Sequence, residues 1–315
     1  MAVVGGPKIK LNTGAEMPAL AFGTWQLQGE ELKNAVTFAI REAGFRHIDC
    51  AWGYGNEAVV GEGIRAAGVP REQLFITSKL WGTWHRRVEE GLDESLRKLG
   101  LDYLDLYLMH WPIALNPNAS NDLIPVRPDG KRDIALDWDI RNTWTQLEAM
   151  LAKGKVRAIG VSNMSQKKLE EFLPRISIPP AANQLELHAY NPDHALVAYL
   201  KTKGIVPQAY SPLGSSGSPL VQDATVKTIA EKHGAPPGAV LLGWLLSKEI
   251  GVVTRSANPD RIRQNIQDTT TLAQKLDGDD VATLDGLAAA GKQKRMIMPP
   301  WGIDFGFENW TNVSW

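Results

Sequence analysis

The chain has 315 residues, 34 basic against 35 acidic side chains, and a single cysteine, Cys50. That length suits one large domain or two small ones, and 43% hydrophobic residues is ordinary for a soluble globular protein. The balanced charge argues against a nucleic-acid surface, the clearest apolar run (239–246) is far below membrane-spanning length, and one cysteine excludes an intrachain disulfide.

Residues 8–11 and 17–19 flank Asn12-Thr13-Gly14-Ala15-Glu16, whose Asn and Gly signal the turn of a small hairpin. Residues 21–24 are the first candidate core strand, with Trp25 at its end. Leu32, Val36, Ala39, Ile40 and Ala43 recur at a helical period, which predicts a helix over 32–42. Gly44 stops it, and 45–49 reads as a short buried strand ending in Asp49. Tyr54 follows in a glycine-flanked loop, and 56–66 is the next helix. The strand at 74–79 ends in Lys79. A helix over 87–99 places Val88, Leu92, Leu96 and Leu99 on one side. The strand at 103–110 ends in His110 and is halted by Trp111-Pro112.

Residues 113–138, rich in Pro, Asn and Asp, are too long for a simple connector and read as a functional loop over a site. A helix over 139–153 and a strand over 156–161 lead to Ser162-Asn163. Ser165 caps the helix at 165–173. The strand at 182–185 contains Gln184. The helix at 192–203 has Pro192 in its first turn. The strand at 205–210 ends in Tyr210 and is followed by S-P-L-G-S-S-G-S-P. Helices at 221–233 and 237–246 precede a strand at 250–254, which leads to Arg255-Ser256. Two more helices follow, at 259–266 and 279–289. The tail, 301–315, has no clear periodicity.

Eight strands after the hairpin, each followed by helix, predict a parallel sheet with right-handed crossovers. Eight such units close naturally into a (β/α)8 TIM barrel, whose functional side chains gather at strand C-ends. An open doubly wound sheet is the alternative. It usually needs a Gly-rich dinucleotide loop; residues 23–27 do not match one, and Gly53-x-Gly55 is a weak match. The sequence holds no P-loop, no H-E-x-x-H and no metal-ligand cluster. His47 and Asp49, two apart on one strand, are expected to point away from each other, which argues against a shared metal. Asn118, Asn163, Asn309 and Asn312 sit in N-x-S/T and read as chance matches. The N-terminus lacks the apolar core of a secretion signal, so a cytoplasmic location is expected for one domain spanning 1–315.

In a barrel, Asp49, Tyr54, Lys79 and His110 converge on one rim. A tyrosine is a poor acid at neutral pH, with a reference pKa of about 10. An adjacent ammonium is expected to lower that value. Asp49 would hold Lys79, and His110 would orient a carbonyl or join a proton relay. Each residue alone has a plainer reading: Lys79 as a surface charge, His110 as a rim histidine, the tryptophans as core, Arg255 and Arg261 as a solvated face. Together they recur at strand ends, which those readings do not explain. Cys50 is left as a small buried hydrophobe, and His188, His194 and His233 as structural or surface residues.

The residues at 49–57, D-C-A-W-G-Y-G-N-E, resemble the signature of the aldo-keto reductase superfamily. So do I-T-S-K-L-W (76–81), L-D-L-Y-L-M-H-W-P (104–112), G-V-S-N (160–163), N-Q-L-E (183–186) and Y-S-P-L-G (210–214). The late stretch Arg255-Ser256, Arg261-Ile262, Asn265 is similar to the family's cofactor segment, with an arginine fork in place of a lysine. The resemblance implies a (β/α)8 barrel with an N-terminal hairpin and a C-terminal substrate loop over 290–315. It also implies NADP(H) bound without a Rossmann fold. Tyr54 would be the proton donor, supported by Asp49, Lys79 and His110. Thr24, Trp25, Asp49, Ser162, Asn163, Gln184, Tyr210, Ser211, Leu213, Ser215, Arg255, Ser256, Arg261 and Asn265 would hold the cofactor, the last four around its 2′-phosphate and adenine. Trp25, Trp52, Tyr54, Trp81, His110 and Trp111 would wall the substrate site, with Trp301 and Phe305 from the tail. That tail, W-G-I-D-F, is most similar to fungal and yeast members of the glycerol dehydrogenase, glyceraldehyde reductase and aldose reductase branch.

The expected activity is reversible reduction of aldehydes or ketones, with small sugars, glyceraldehyde, glycerol in reverse and aromatic aldehydes as candidate substrates. No nucleic-acid, membrane or metal partner is expected, and the family favours a monomer. Two rivals are a barrel aldolase using Lys79 as a Schiff base and a non-catalytic NADP(H)-binding regulatory subunit.

Overall fold

The computed structural model describes residues 4–117, 122–215 and 217–311. Asn118 and Asn312, with parts of the 113–138 loop and of the tail, lie outside the described residues. The hairpin is β1 (Lys8–Lys10) against β2 (Glu16–Pro18), antiparallel, with Ile9 opposite Met17. The barrel strands are β3 (Leu20–Gly23), β4 (His47–Asp49), β5 (Phe75–Leu80), β6 (Leu106–Met109), β7 (Ile159–Ser162), β8 (Ala182–Glu186), β9 (Val206–Tyr210) and β10 (Gly251–Thr254). Each pairs in parallel with its sequence neighbour, and β10 pairs with both β9 and β3, so the sheet closes on itself. Closure removes every free edge and rules out the open doubly wound sheet.

The surrounding helices are α1 (Gly29–Arg41), α2 (Glu57–Ala67), α3 (Val88–Leu99), α4 (Ile140–Ala152), α5 (Gln166–Phe172), α6 (His194–Thr202), α7 (Ala224–His233), α8 (Pro237–Ser247), α9 (Pro259–Lys275) and α10 (Gly278–Asp285). Among the described residues no helix is long and apolar enough to cross a membrane.

Strand alternation sorts the side chains into two layers. On β6, Tyr107 and Met109 join the large core shared with the helices, whereas Leu106 and Leu108 join a second cluster. That second cluster holds Leu11 and Met17 from the hairpin and the first residues of β5, β6, β8 and β9. The hairpin is therefore packed against the end of the barrel where the strands begin. On β5, Phe75, Thr77 and Lys79 share one face, with Phe75 in the hairpin cluster, while Ile76 and Leu80 face the helices. The inward row of β5 thus climbs from an aromatic at the plugged end to an ammonium at the other.

Several boundaries differ from the sequence reading. The strand expected at 103–110 is regular only over Leu106–Met109; Leu104 makes an isolated bridge to Val156. Pro192 is not in the first turn of α6. Asp193, at φ 40°, is the cap, and its side chain accepts from Leu196 N. The helix expected over 259–266 runs on to Lys275. Thr269, Thr270 and Thr271 are weak helix formers, but Ile262, Ile266, Thr269 and Leu272 are buried. Gly243 on α8 lets the two helices close, since a Cβ there would lie 2.9 Å from Leu272 Cβ. The last expected helix ends at Asp285 instead of reaching 289.

Candidate active site

The strand C-ends deliver their polar residues to one cavity of about 290 Å³. Lys79, 0% exposed, donates to Asp49 Oδ1 at 2.6 Å, to Cys50 O at 3.0 Å and to the Tyr54 hydroxyl at 3.3 Å. Burial alone would depress this ammonium. The adjacent Asp49 carboxylate outweighs it and holds Lys79 above its ordinary value. Asp49 accepts a second bond at Oδ2 from Gln184 Nε2, at 2.7 Å. The Gln184 Nε2 also donates to Gln208 Oε1 on β9 at 2.7 Å. Both Gln184 hydrogens are used, which leaves its carbonyl oxygen as the atom to receive a donor from the cavity.

Burial pushes the Tyr54 phenol above its ordinary value; Lys79 pulls it down, and Asp49 offsets that pull. This reverses the direction expected from the sequence. The reading there counted the ammonium but not the loss of solvent or the neutralising carboxylate. Tyr54 therefore keeps its proton at neutral pH. Its ring meets the His110 ring edge-on at 5.7 Å, and His110 meets Trp81 at 5.2 Å. Burial, then the Lys79 charge, push His110 well below its ordinary value, so the imidazole is neutral.

Contrary to expectation, His47 and Asp49 lie on the same inward face of β4, because the strand period is two. They sit at different heights. His47 Nδ1 contacts Pro18 O and Nε2 contacts Thr77 Oγ1, each at 2.9 Å, so both ring nitrogens are spent below the site.

The opposite wall is tied together by one asparagine. Asn163, at φ 59°, donates to His110 O at 2.9 Å and accepts from the Tyr210 hydroxyl at 2.8 Å. Ser162 Oγ donates to Gln184 O at 2.8 Å. The ends of β6, β7, β8 and β9 are thus fixed relative to one another. Ser211 and Ser215, both at positive φ, turn the following loop back along the cavity with Leu213.

Of the residues singled out in the sequence, Thr24, Trp25, Asp49, Tyr54, Trp81, His110, Trp111, Ser162, Asn163, Gln184, Tyr210, Ser211, Leu213, Ser215 and Arg255 line this cavity. Trp52 does not; its ring packs edge-on against Trp84 at 5.8 Å, with the Lys98 ammonium 5.1 Å from its centre. Trp301 and Phe305, 1% and 0% exposed, form a second row behind the wall. Trp301 lies 5.5 Å from Trp111 and 6.0 Å from Trp81. Trp81 is held on its other side by Gly53, where a Cβ would come within 2.8 Å of its ring, and by donation from Nε1 to Leu123 O in the 113–138 loop. The sequence reading missed Ile297 and Pro299, which line the cavity from the tail, and Gln208. Gln208 was legible in principle, since it lies two before Tyr210 on one strand and so shares its face.

Ser256, Arg261 and Asn265 lie outside the cavity, at and just inside the start of α9. Ser256 Oγ accepts from Asn258 N at 3.0 Å, Asn258 Oδ1 from Arg261 N at 3.1 Å, and Asn265 donates to Thr254 Oγ1 at 2.9 Å. Among the described residues, the guanidinium groups of Arg255 and Arg261 make no ion pair or hydrogen bond, and both residues are exposed. Two unpaired cations beside the N-terminus of a 17-residue helix suit an anion such as a phosphate.

The family model for the aldo/keto reductase family matches residues 19–289. The chain is 47% identical to a D-galacturonate reductase of Hypocrea jecorina, over 95% of this chain and 97% of that one. It is 40% identical to a glycerol 2-dehydrogenase (NADP(+)) of Saccharomyces cerevisiae, over 93% and 94%. Its structure superposes on the aldose reductase from Schistosoma japonicum with a TM-score of 0.87, at 34% identity, covering 96% of this chain and 98% of that one.

Proposed function

The chain belongs to the aldo/keto reductase family, NADP-dependent oxidoreductases acting on carbonyl groups, and from that premise we propose that it reduces small sugar aldehydes, glyceraldehyde and aromatic aldehydes. Uronates are included, and glycerol is the candidate in reverse. The observation that carries this reading is the Tyr54 hydroxyl, 3.3 Å from a buried ammonium that is itself paired to Asp49, at the edge of an aromatic-walled cavity.

Members of this family generally use NADPH, and the donor set here fits it. Arg255, Ser256 and Arg261 would take the 2′-phosphate, with Asn265 beside the adenine. Ser211, Leu213 and Ser215 would lie along the pyrophosphate, with Thr24 and Trp25 on the facing rim. Tyr210 would pack on the nicotinamide, while Ser162, Asn163 and the Gln184 carbonyl oxygen would receive its carboxamide. When bound, NADPH supplies the hydride to the carbonyl carbon.

The chain's own residues do the rest. Trp81 and Trp111 enclose the carbonyl and exclude water. Neutral His110 donates to its oxygen and orients it. Tyr54 gives its proton to that oxygen as negative charge develops there, and Lys79 stabilises the phenolate left behind. Asp49 keeps Lys79 charged and in place. A lysine held protonated has no lone pair for a Schiff base, which disfavours the aldolase reading. The identity of 47% to a D-galacturonate reductase and 40% to a glycerol 2-dehydrogenase supports sugar-acid aldehydes and small polyol-derived ketones. We further propose one domain that works as a monomer in the cytoplasm, with the described residues of the 113–138 loop and of the tail up to Thr311 packed around the site.

The test is NADPH oxidation against aldehydes, aldoses, uronates and ketones, with NADH as control. Absence of turnover with every carbonyl, alongside tight NADPH binding, would instead favour a non-catalytic cofactor sensor.

A further inference from the structure

Glu186 ends β8 two residues after Gln184, so both side chains face the barrel interior. Gln184 divides its two amide hydrogens between Asp49 and Gln208. Glu186, 1% exposed, needs hydrogen-bond partners of its own, because a buried carboxylate without them is strongly disfavoured. They come from the far end of the chain. Met296 N donates to its Oε1 at 2.5 Å and Ile297 N to its Oε2 at 2.8 Å, with Arg295 Nη1 3.9 Å from Oε2. From the barrel side, His188 Nε2 lies 3.0 Å from Oε1. Burial works against the anion, but these donors hold the carboxyl below its ordinary value.

A second attachment lies further along the tail, where Ser165 Oγ donates to Phe305 O at 2.7 Å and Trp301 packs on Trp111. Between the two attachments the tail brings Ile297 and Pro299 to the cavity. Apolar packing alone lets an irregular segment slide. Two successive main-chain N–H groups received by the two oxygens of one carboxylate do not, because a shift of one residue leaves a buried donor unpaired.

We propose that Glu186 is a specificity-determining positioning residue, setting how far Ile297 and Pro299 stand into the substrate cavity and so which carbonyl compounds fit beyond the reacting group. It rests on the carbonyl-reductase reading above and deepens it. The occupant selected is the part of the substrate distant from the aldehyde, so a two-carbon hydroxyaldehyde is too short to sense it and an aromatic aldehyde is not.

The experiment compares wild type, Glu186→Gln, Glu186→Asp and Ile297→Ala on glycolaldehyde and on a substituted benzaldehyde, with NADPH affinity measured by fluorescence titration. A glutamine turns an N–H donor towards a tail N–H. The expected result for Glu186→Gln is a KM for the aromatic aldehyde raised about tenfold, with kcat, the glycolaldehyde KM and NADPH affinity within about twofold of wild type. Glu186→Asp, which keeps both acceptor oxygens, recovers part of the loss. Ile297→Ala shifts the same ratio of KM values without touching the carboxylate, and it decides the matter if Glu186→Gln does not fold. Equal effects on both substrates, or parallel loss of NADPH affinity, would overturn the proposal. So would an Ile297→Ala variant that discriminates as wild type does. Limited proteolysis reads the attachment independently of turnover, with cleavage expected between residues 292 and 300 in Glu186→Gln; protection equal to wild type would refute it even if no carbonyl is reduced.

Discussion

Lys79 Nζ stands 2.6 Å from Asp49 Oδ1, and neither side chain is more than 2% exposed. Taking two such charges from water is costly, and their attraction compensates only while both are present. Lys79→Met should therefore cost about 3–5 kcal/mol of stability, since it strands a buried carboxylate. The double variant Asp49→Asn/Lys79→Met should recover part of that cost while remaining inactive. Urea denaturation checks both, and a fully stable Lys79→Met would show that the pair is not isolated from solvent.

Tyr54 is the only hydroxyl that this ammonium reaches among the described residues. Tyr54→Phe keeps the ring against His110 but removes the proton, so kcat should fall by about 10²–10⁴-fold, the usual contribution of a general acid. NADPH affinity should stay within about twofold. Loss of both together would mean that the ring, not the proton, matters.

Arg255 lines the cavity and its guanidinium is unpaired among the described residues, so it is available to an added anion. Arg255→Ala should weaken NADPH about tenfold, the scale of one lost charge-assisted contact, and leave NADH nearly unchanged. Isothermal titration with both cofactors measures the difference, and equal weakening would count against a 2′-phosphate contact.

Glu57 begins α2 with its side chain buried, and Ser78 Oγ donates to it at 2.6 Å. Burial raises its pKa, so the folded state holds this proton to higher pH than the unfolded chain does. Stability from this group is fully present below the ordinary glutamate value and is lost as pH rises through the raised one. Glu57→Gln keeps the neutral shape and the acceptor oxygen. The variant's gain in melting temperature should therefore be larger at about pH 8 than at about pH 5. A gain independent of pH would exclude the ionisation as its cause.

What could be read in advance followed from strand periodicity. Asp49, Lys79, His110 and Tyr210 each lie at or within one residue of the end of a buried strand, and a polar residue in that place has few reasons to be there except a shared rim. The count of eight such strands pointed to closure. What could not be read depended on packing between distant elements. The three threonines of α9 hide a helix that is formed by its contact with α8. Trp52 sits two residues from Tyr54, but the tight turn over Trp52–Tyr54 sends the two rings different ways, one to Trp84 and one to His110. The direction of the Tyr54 shift needed the depth of burial, which sequence does not supply. Ile297 and Pro299 reach the cavity through backbone bonds to a residue more than a hundred positions earlier, and no period announces them.

The hairpin of β1 and β2, with Leu11 and Met17 pressed among the first residues of the strands, covers the end of the barrel opposite the cavity. Whatever enters the cavity therefore comes and goes on the side of the strand C-ends, and the closed end is free to serve stability alone.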